Sequence, residues 1–194
     1  MKFFNGHTPN SLGFTLVELL VSISIFVFMT GLVLTRYRSF DQNVFLTNLA
    51  HDVVLTVRTA QNYGLNVKGA ENSFNVGYGV HLDSTSGNNK STTIFAFPRS
   101  NEAVYAQAIT SSKITQAMGR GAFVSALCAG ASSSNCPTRN SLDISFKRPD
   151  LDAIICANGS CATPHTYARI TLSSSGGSIR HVIVQSSGQI SIED

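Results

Sequence analysis

One carboxylate is notable for its position. Glu18 is the only ionisable residue in the run of residues 14–34, FTLVELLVSISIFVFMTGLVL. A carboxylate inside a membrane-spanning helix costs about 2.5 to 3.5 kcal/mol on insertion scales. We therefore expect Glu18 to have a cationic partner. Arg36 cannot supply it, because at about 1.5 Å per residue the two lie about 27 Å apart along one helix.

The run that contains Glu18 is long enough to cross a bilayer. About 20 apolar residues, rising about 1.5 Å each, cover a hydrocarbon core about 30 Å thick. A helix buried in a soluble core is the first alternative, but a chain of 194 residues offers no core thick enough to surround it. A secretory signal peptide is the second, and the length of the run, its acidic residue and the missing small-residue cleavage site disfavour it.

The helix is predicted to continue past the apolar run. Neither Pro nor Gly occurs between Arg36 and Gly64, and apolar residues recur there at steps of three and four. These residues are Leu46, Leu49, Val53, Val57 and Ala60. The pattern predicts one helix from about Phe14 to about Tyr63, apolar on all sides over residues 14–35 and amphipathic over residues 36–64. Its apolar stripe is expected to pack on a partner, on its own domain, or on both.

After Gly64 the apolar residues alternate instead, which is typical of strands. The alternating segments are residues 74–82, 94–97, 142–146, 167–172, 179–184 and 189–192, and turn-forming stretches occupy residues 83–91, 129–140 and 173–178. Residues 65–194 are therefore predicted to form an antiparallel β-domain of about six to eight strands. The expected fold class is α+β, with a long N-terminal helix and then this domain.

The residues around Glu18 carry a family resemblance. The string Gly13-Phe14-Thr15-Leu16-Val17-Glu18-Leu19-Leu20, after a short leader holding Lys2, resembles the type III signal of type IV prepilins and type II secretion pseudopilins. The resemblance implies that residues 1–13 are a leader, that prepilin peptidase cleaves between Gly13 and Phe14, and that the new Phe14 amine is N-methylated. It also implies that Glu18 pairs with the α-amine of a neighbouring subunit during assembly, which physics allows as a charge-assisted bond.

The β-domain is similar to one branch of this family. The residues Gly77-Tyr78-Gly79-Val80, with residues 144–153, 179–184 and 188–190, resemble the H-type minor pseudopilins of the GspH/FimT family. The resemblance implies a non-enzymatic subunit of a type II secretion pseudopilus or a type IV pilus, without cofactor. Its expected partners are other pilin subunits, prepilin peptidase, the inner-membrane assembly platform and membrane lipid. It implies a single pass through the bacterial inner membrane, with the C-terminal domain outside the cytoplasm. Alternatively, Gly77 and Gly79 only permit close approach of other groups to the strand.

The four cysteines fall into two local pairs, Cys128 with Cys136 and Cys156 with Cys161. Given the implied location outside the cytoplasm, local disulfides within each pair are the leading hypothesis. Four cysteines allow three connectivities, and a zinc site is the weaker alternative, because the spacing is not C-x-x-C. We expect no metal and no catalytic site, since the chain has no H-E-x-x-H, G-x-S-x-G or P-loop motif.

A DNA-binding role is the alternative function. A FimT-like minor pilin for DNA uptake needs clustered cations, and the candidates are Lys147, Arg148, Arg169 and Arg180. Against this, the net charge of the chain is only +3, and the chain ends in Ile-Glu-Asp. Solvated strand residues are the simpler interpretation of these cations, so we do not expect nucleic acid among the partners.

Overall fold

The computed structural model describes residues 13–66, 68–71, 73–150 and 152–193, with the backbone alone for residues 35–40. Apart from Gly13, the predicted leader lies outside the described residues. The chain divides into two compact units between Phe40 and Asp41.

A single helix, α1, spans Leu16–Leu65. It begins two residues later than the sequence predicts, because Thr15 has the side chain that caps it. It also ends two residues later and passes through Gly64. A Cβ added at Gly64 would lie 2.5 Å from the Phe146 carbonyl oxygen. This glycine therefore allows the helix to approach a strand closely and does not end the helix.

The remaining elements form two antiparallel sheets. The strands are β1 (Val76–Asp83), β2 (Ser91–Pro98), β3 (Ile114–Ala117), β4 (Phe123–Gly130), β5 (Thr138–Arg139), β6 (Ser141–Phe146), β7 (Ile154–Ala157), β8 (Ser160–His165), β9 (Tyr167–Ser173), β10 (Ile179–Gln185) and β11 (Ile190–Glu193). Two 3-10 turns, Tyr105–Gln107 and Thr110–Ser112, lie between β2 and β3. One sheet has the order β3-β2-β1-β6-β7-β8 and the other β11-β10-β9-β4-β5. The predicted α+β class is confirmed.

The predicted strand number is wrong: the described residues contain eleven strands, not six to eight. Strand β4 has a register shift between Val124 and Ala126, which interrupts the alternation that sequence analysis depends on. Strands β7 and β8 are joined by Asn158 and Gly159, both with positive φ, 53° and 74°. An Asn-Gly pair is the preferred sequence of a two-residue hairpin turn. Residues 158 and 159 therefore indicated the β7–β8 hairpin, which apolar alternation alone did not predict.

One core lies between the two sheets and the second half of the helix. The predicted stripe is confirmed, since Leu46, Leu49, Val53, Val57 and Ala60 are all buried. They belong to one cluster with residues of both sheets, such as Val80, Ile144, Ile170 and Val182. Residues 41–65 of the helix are therefore part of the same packed unit as the β-strands.

A second, smaller cluster covers the outer face of the six-stranded sheet. It contains Phe95, Phe97 and Ala103, and residues 99–113, here called the cover segment, contribute Ala103, Tyr105 and Ala108 to it. A Cβ at Gly77 would lie 2.5 Å from the Phe97 ring, and one at Gly79 would meet Ser145 and Phe95. The interpretation of these two glycines as sites of close approach is confirmed.

Candidate functional site

Gly13 and Phe14 precede the helix in exposed, non-helical backbone. No atom lies within 4 Å of the position that a Cβ at Gly13 would occupy, and Phe14 is 79% exposed. Both described residues that flank this peptide bond are therefore exposed.

Thr15 positions Glu18 at the first turn of the helix. The Glu18 amide donates a hydrogen bond to Thr15 Oγ1 (3.2 Å), and the Leu19 amide donates one to the Thr15 carbonyl (3.2 Å). Thr15 is thus the N-cap and Glu18 the third helical residue, the spacing of a capping box. A carboxylate there also lies close to the positive end of the helix dipole. Sequence analysis did not assign a role to Thr15, although Thr-x-x-Glu before an apolar run was the available signal.

The hydroxyl groups of the apolar run are satisfied inside the helix. Ser22, Ser24 and Thr30 donate to the carbonyls four residues earlier at 2.7, 2.8 and 2.7 Å. Such bonds let a polar side chain lie in a membrane without losing its hydrogen bond. In contrast, the Glu18 carboxylate accepts no hydrogen bond from any residue that the structure describes. In this part of the chain the carboxylate is therefore exposed and has no partner.

The apolar run presents its side chains outward. Within the described chain, Leu16–Leu34 is the one helical segment long and apolar enough to cross a membrane, and no part of it is buried. Its large apolar side chains are all more than half exposed. Exposure of a whole helix circumference is expected where lipid or other helices form the surroundings.

The structure places both cysteine pairs in disulfides. Cys128 on β4 is bonded to Cys136, and Cys156 on β7 is bonded to Cys161 on β8. No free cysteine remains among the described residues, so no thiolate is left for the zinc alternative. Nor do three or more His, Cys, Asp or Glu side chains form a metal-binding group in this part of the chain.

The four candidate DNA-binding cations do not form one patch. Lys147 and Arg148 follow β6 in the six-stranded sheet, whereas Arg169 and Arg180 lie on β9 and β10 of the other sheet. Arg148 donates a hydrogen bond to the Phe74 carbonyl (2.6 Å), so its guanidinium has a structural partner. Arg180 on β10 is paired with Leu172 on β9, so these two side chains share a face of the sheet. Leu172 is three residues from Arg169, and side chains alternate along a strand, so Arg169 and Arg180 lie on opposite faces.

The surroundings of two histidines of the β-domain, His165 and His181, lower their pKa values. Burial lowers the pKa of His165, and the positive charge of Arg139 lowers it further. Burial and Arg169 likewise lower the pKa of His181, which Glu193 partly opposes. His181 Nδ1 also forms a 3.1 Å hydrogen bond with Thr171 Oγ1. These two rings lie in different sheets and do not form a shared site.

Comparison with known families agrees with the N-terminal geometry. Residues 8–34 match the family described as the prokaryotic N-terminal methylation motif. Comparisons with curated proteins and with solved structures found no match. The motif supports a type IV pilin-like subunit that assembles with other pilin subunits after processing by prepilin peptidase. Together, the motif and the apolar helix are consistent with single-pass anchoring in the inner membrane. The chain therefore carries the processing motif of type IV pilin-like proteins at the start of its apolar helix, followed by an antiparallel two-sheet domain.

Proposed function

We propose that this chain is an H-type minor pilin or pseudopilin, a structural subunit of a type II secretion pseudopilus or of a type IV pilus. The observation that carries the proposal is the match of residues 8–34 to the N-terminal methylation motif, around a Glu18 carboxylate without a partner in the described chain. The similarity of β1, β6 and β10 to the GspH/FimT pattern, noted from sequence, supports the H-type assignment.

Processing prepares the helix for assembly. Prepilin peptidase cleaves between Gly13 and Phe14, both exposed, and the new Phe14 amine is methylated. The freed cation then lies directly before the Thr15 cap. In a helical array of subunits, the Phe14 amine of one chain bonds the Glu18 carboxylate of its neighbour, and this bond offsets the cost of the buried acid.

The rest of the molecule fits this role. The exposed apolar side chains of Leu16–Leu34 pack against the same segment of other subunits when the chain leaves the membrane. The β-domain lies outside the cytoplasm, where two disulfides are stable. The subunit contacts the inner-membrane assembly platform and lipid, and it needs no cofactor.

Mass spectrometry of filaments from the native host tests the proposal. We expect polymerised subunits to begin at a methylated Phe14. An intact Met1 on polymerised subunits would refute it.

A matched pair of variants tests the role of the carboxylate. Glu18→Ala should remain inserted in the membrane, because removal of a buried charge favours insertion, yet it should enter filaments poorly. Ser22→Ala, four residues later and hydrogen-bonded only to its own helix, should assemble normally. Equal incorporation of the two variants would contradict the pairing.

The DNA-uptake alternative has weaker support. The four cations that sequence analysis selected are divided between two sheets, whereas phosphate binding benefits from clustered charge. A mobility-shift titration of the full chain in detergent, at two salt concentrations, distinguishes the two roles. We expect no salt-sensitive shift at micromolar protein, and such a shift would favour the DNA-binding role.

A further inference from the structure

A polar cleft lies at one end of the five-stranded sheet. Three segments form it: residues 131–133 after β4, residues 166–167 at the start of β9, and residues 185–187 at the end of β10. They meet because β4 and β10 both pair with β9. The cleft has a volume of about 390 Å³. The proposed assembly role uses none of these residues.

The wall formed by residues 131–133 is held in a fixed shape. It belongs to the loop that the Cys128–Cys136 disulfide closes. The Ala131 amide donates a hydrogen bond to the Asn135 carbonyl (3.1 Å), and Thr166 Oγ1 donates one to the Ala131 carbonyl (2.7 Å). A wall that is already ordered loses little conformational entropy when a ligand binds against it.

Tyr167 contributes a largely buried side chain to the lining. It is 9% exposed and packs with Cys128 and Ile183 on the outer face of the sheet. Its hydroxyl has no hydrogen-bond partner in the described chain and is not among the buried unsatisfied atoms there. The hydroxyl is therefore reached by solvent. Because a largely buried tyrosine usually bonds its hydroxyl to a partner, this hydroxyl is available to a ligand.

Other polar groups of the cleft are also available. The exposed Gln185 side chain lies on the same face as that of Tyr167, its paired residue on β9. No described residue bonds the Gln185 side-chain amide or the hydroxyls of Ser133, Ser186 and Ser187. A hydroxyl both donates and accepts, and a glutamine side chain offers two donors and an acceptor. Within the described chain, no charged side chain lines this cleft.

We propose that this cleft binds a neutral saccharide through the hydroxyl groups of a sugar ring. Each sugar hydroxyl donates and accepts, as do the groups of the lining. An anion would be desolvated there without a cation to pair with, and an apolar ligand would leave the hydroxyls of the lining unpaired. The volume lies within the range of about 300 to 1,000 Å³ that is usual for small-molecule sites. Since the ligand is small and the cleft open, the affinity for one sugar ring is expected to be millimolar.

Two-dimensional amide NMR of the full oxidised chain tests the site. The detergent is a polyoxyethylene ether, because a sugar head group would compete for the cleft. The probes are glucose, galactose and N-acetylglucosamine, each also as its methyl glycoside. We expect at least one of these sugars to cause saturable shifts confined to the three segments of the cleft. Binding of a methyl glycoside indicates a ring that belongs to a larger glycan, whereas binding of the free sugar alone indicates a soluble sugar.

A matched pair of glutamine variants locates the binding. Gln185→Ala removes an exposed amide group that lines the cleft, and Gln189→Ala makes the same change at an exposed residue outside it. Gln185→Ala should weaken binding about 2- to 10-fold, the loss expected for one hydrogen bond, and Tyr167→Phe should do the same. Gln189→Ala should bind as the unmodified chain does. Because Gln185 is exposed, its replacement keeps the test decisive if Tyr167→Phe does not fold.

A charged sugar provides the last arm of the test. Glucuronate adds a carboxylate to the ring of glucose and should bind no more tightly than glucose. The proposal is wrong if no neutral sugar causes a saturable shift, if Gln185→Ala binds as tightly as the unmodified chain, or if glucuronate binds more tightly than glucose. A cleft that holds only water predicts the first of these results. None of these measurements depends on filament assembly, so they are independent of the proposed function.

Discussion

Replacing Leu46 with Ala is expected to destabilise the domain formed by residues 41–194 strongly, whereas replacing Leu55 is not. Both leucines lie on α1, but Leu46 is 0% exposed within the core and Leu55 is 59% exposed. Loss of a fully buried leucine side chain costs about 2.7 to 5.0 kcal/mol, depending on how far the cavity closes. We expect about 3 kcal/mol for Leu46→Ala, or a melting temperature lowered by about 6 to 12 °C for a domain of this size.

Leu55→Ala is the matched control, because it makes the same chemical change in the same helix. Its effect should stay within about 0.5 kcal/mol, since it leaves no cavity. The assay is urea unfolding of the oxidised chain in detergent, followed by circular dichroism. Equal destabilisation by the two variants would refute the conclusion that this part of the helix belongs to the core of the β-domain.

Three further predictions concern the β-domain. Replacing the two cysteines of either disulfide by serines should lower the free energy of unfolding by about 2 to 2.5 kcal/mol, because each disulfide closes a short loop. Urea unfolding measures this change, and an unchanged free energy of unfolding in both variants would contradict the pairing. Gly159→Ala should cost about 1 kcal/mol in the same assay, because this residue has a φ of 74°, and an unchanged midpoint would argue against the turn. His165 has a lowered pKa when folded, so the unfolded chain takes up a proton first as the pH falls. The free energy of unfolding should therefore fall as the pH drops below about 6.5, the ordinary histidine pKa. His165→Gln should make the melting temperature less dependent on pH in this range, and His51→Gln is the control.

Local sequence was sufficient for the elements with strong periodicity. The helix was predicted to within two residues at each end, and the six alternating segments correspond to β1, β2, β6, β9, β10 and β11. The five missed strands lack such alternation: they are short, interrupted by a register shift, or rich in small and polar residues, as in β8. Their pairing is determined by neighbouring strands and by the hairpin turn, which single-sequence periodicity does not contain.

The candidate sites differ in the same way. Gly13, Phe14 and Glu18 lie within six consecutive residues, so a sequence motif was enough to select them. The polar cleft at the end of the five-stranded sheet joins residues 131–133 to residues 185–187, and nothing in the sequence near either segment indicates the other.

The sequence by itself determined the apolar helix, its single acid and its processing motif, because these depend on composition and on spacing along one segment. The tertiary structure alone decided how the eleven strands of the described residues divide into two sheets, that the apolar stripe of α1 packs on its own domain, and which polar groups meet on the outer face. Those features depend on the register between distant strands, where a shift of one residue would exchange the two faces of a strand.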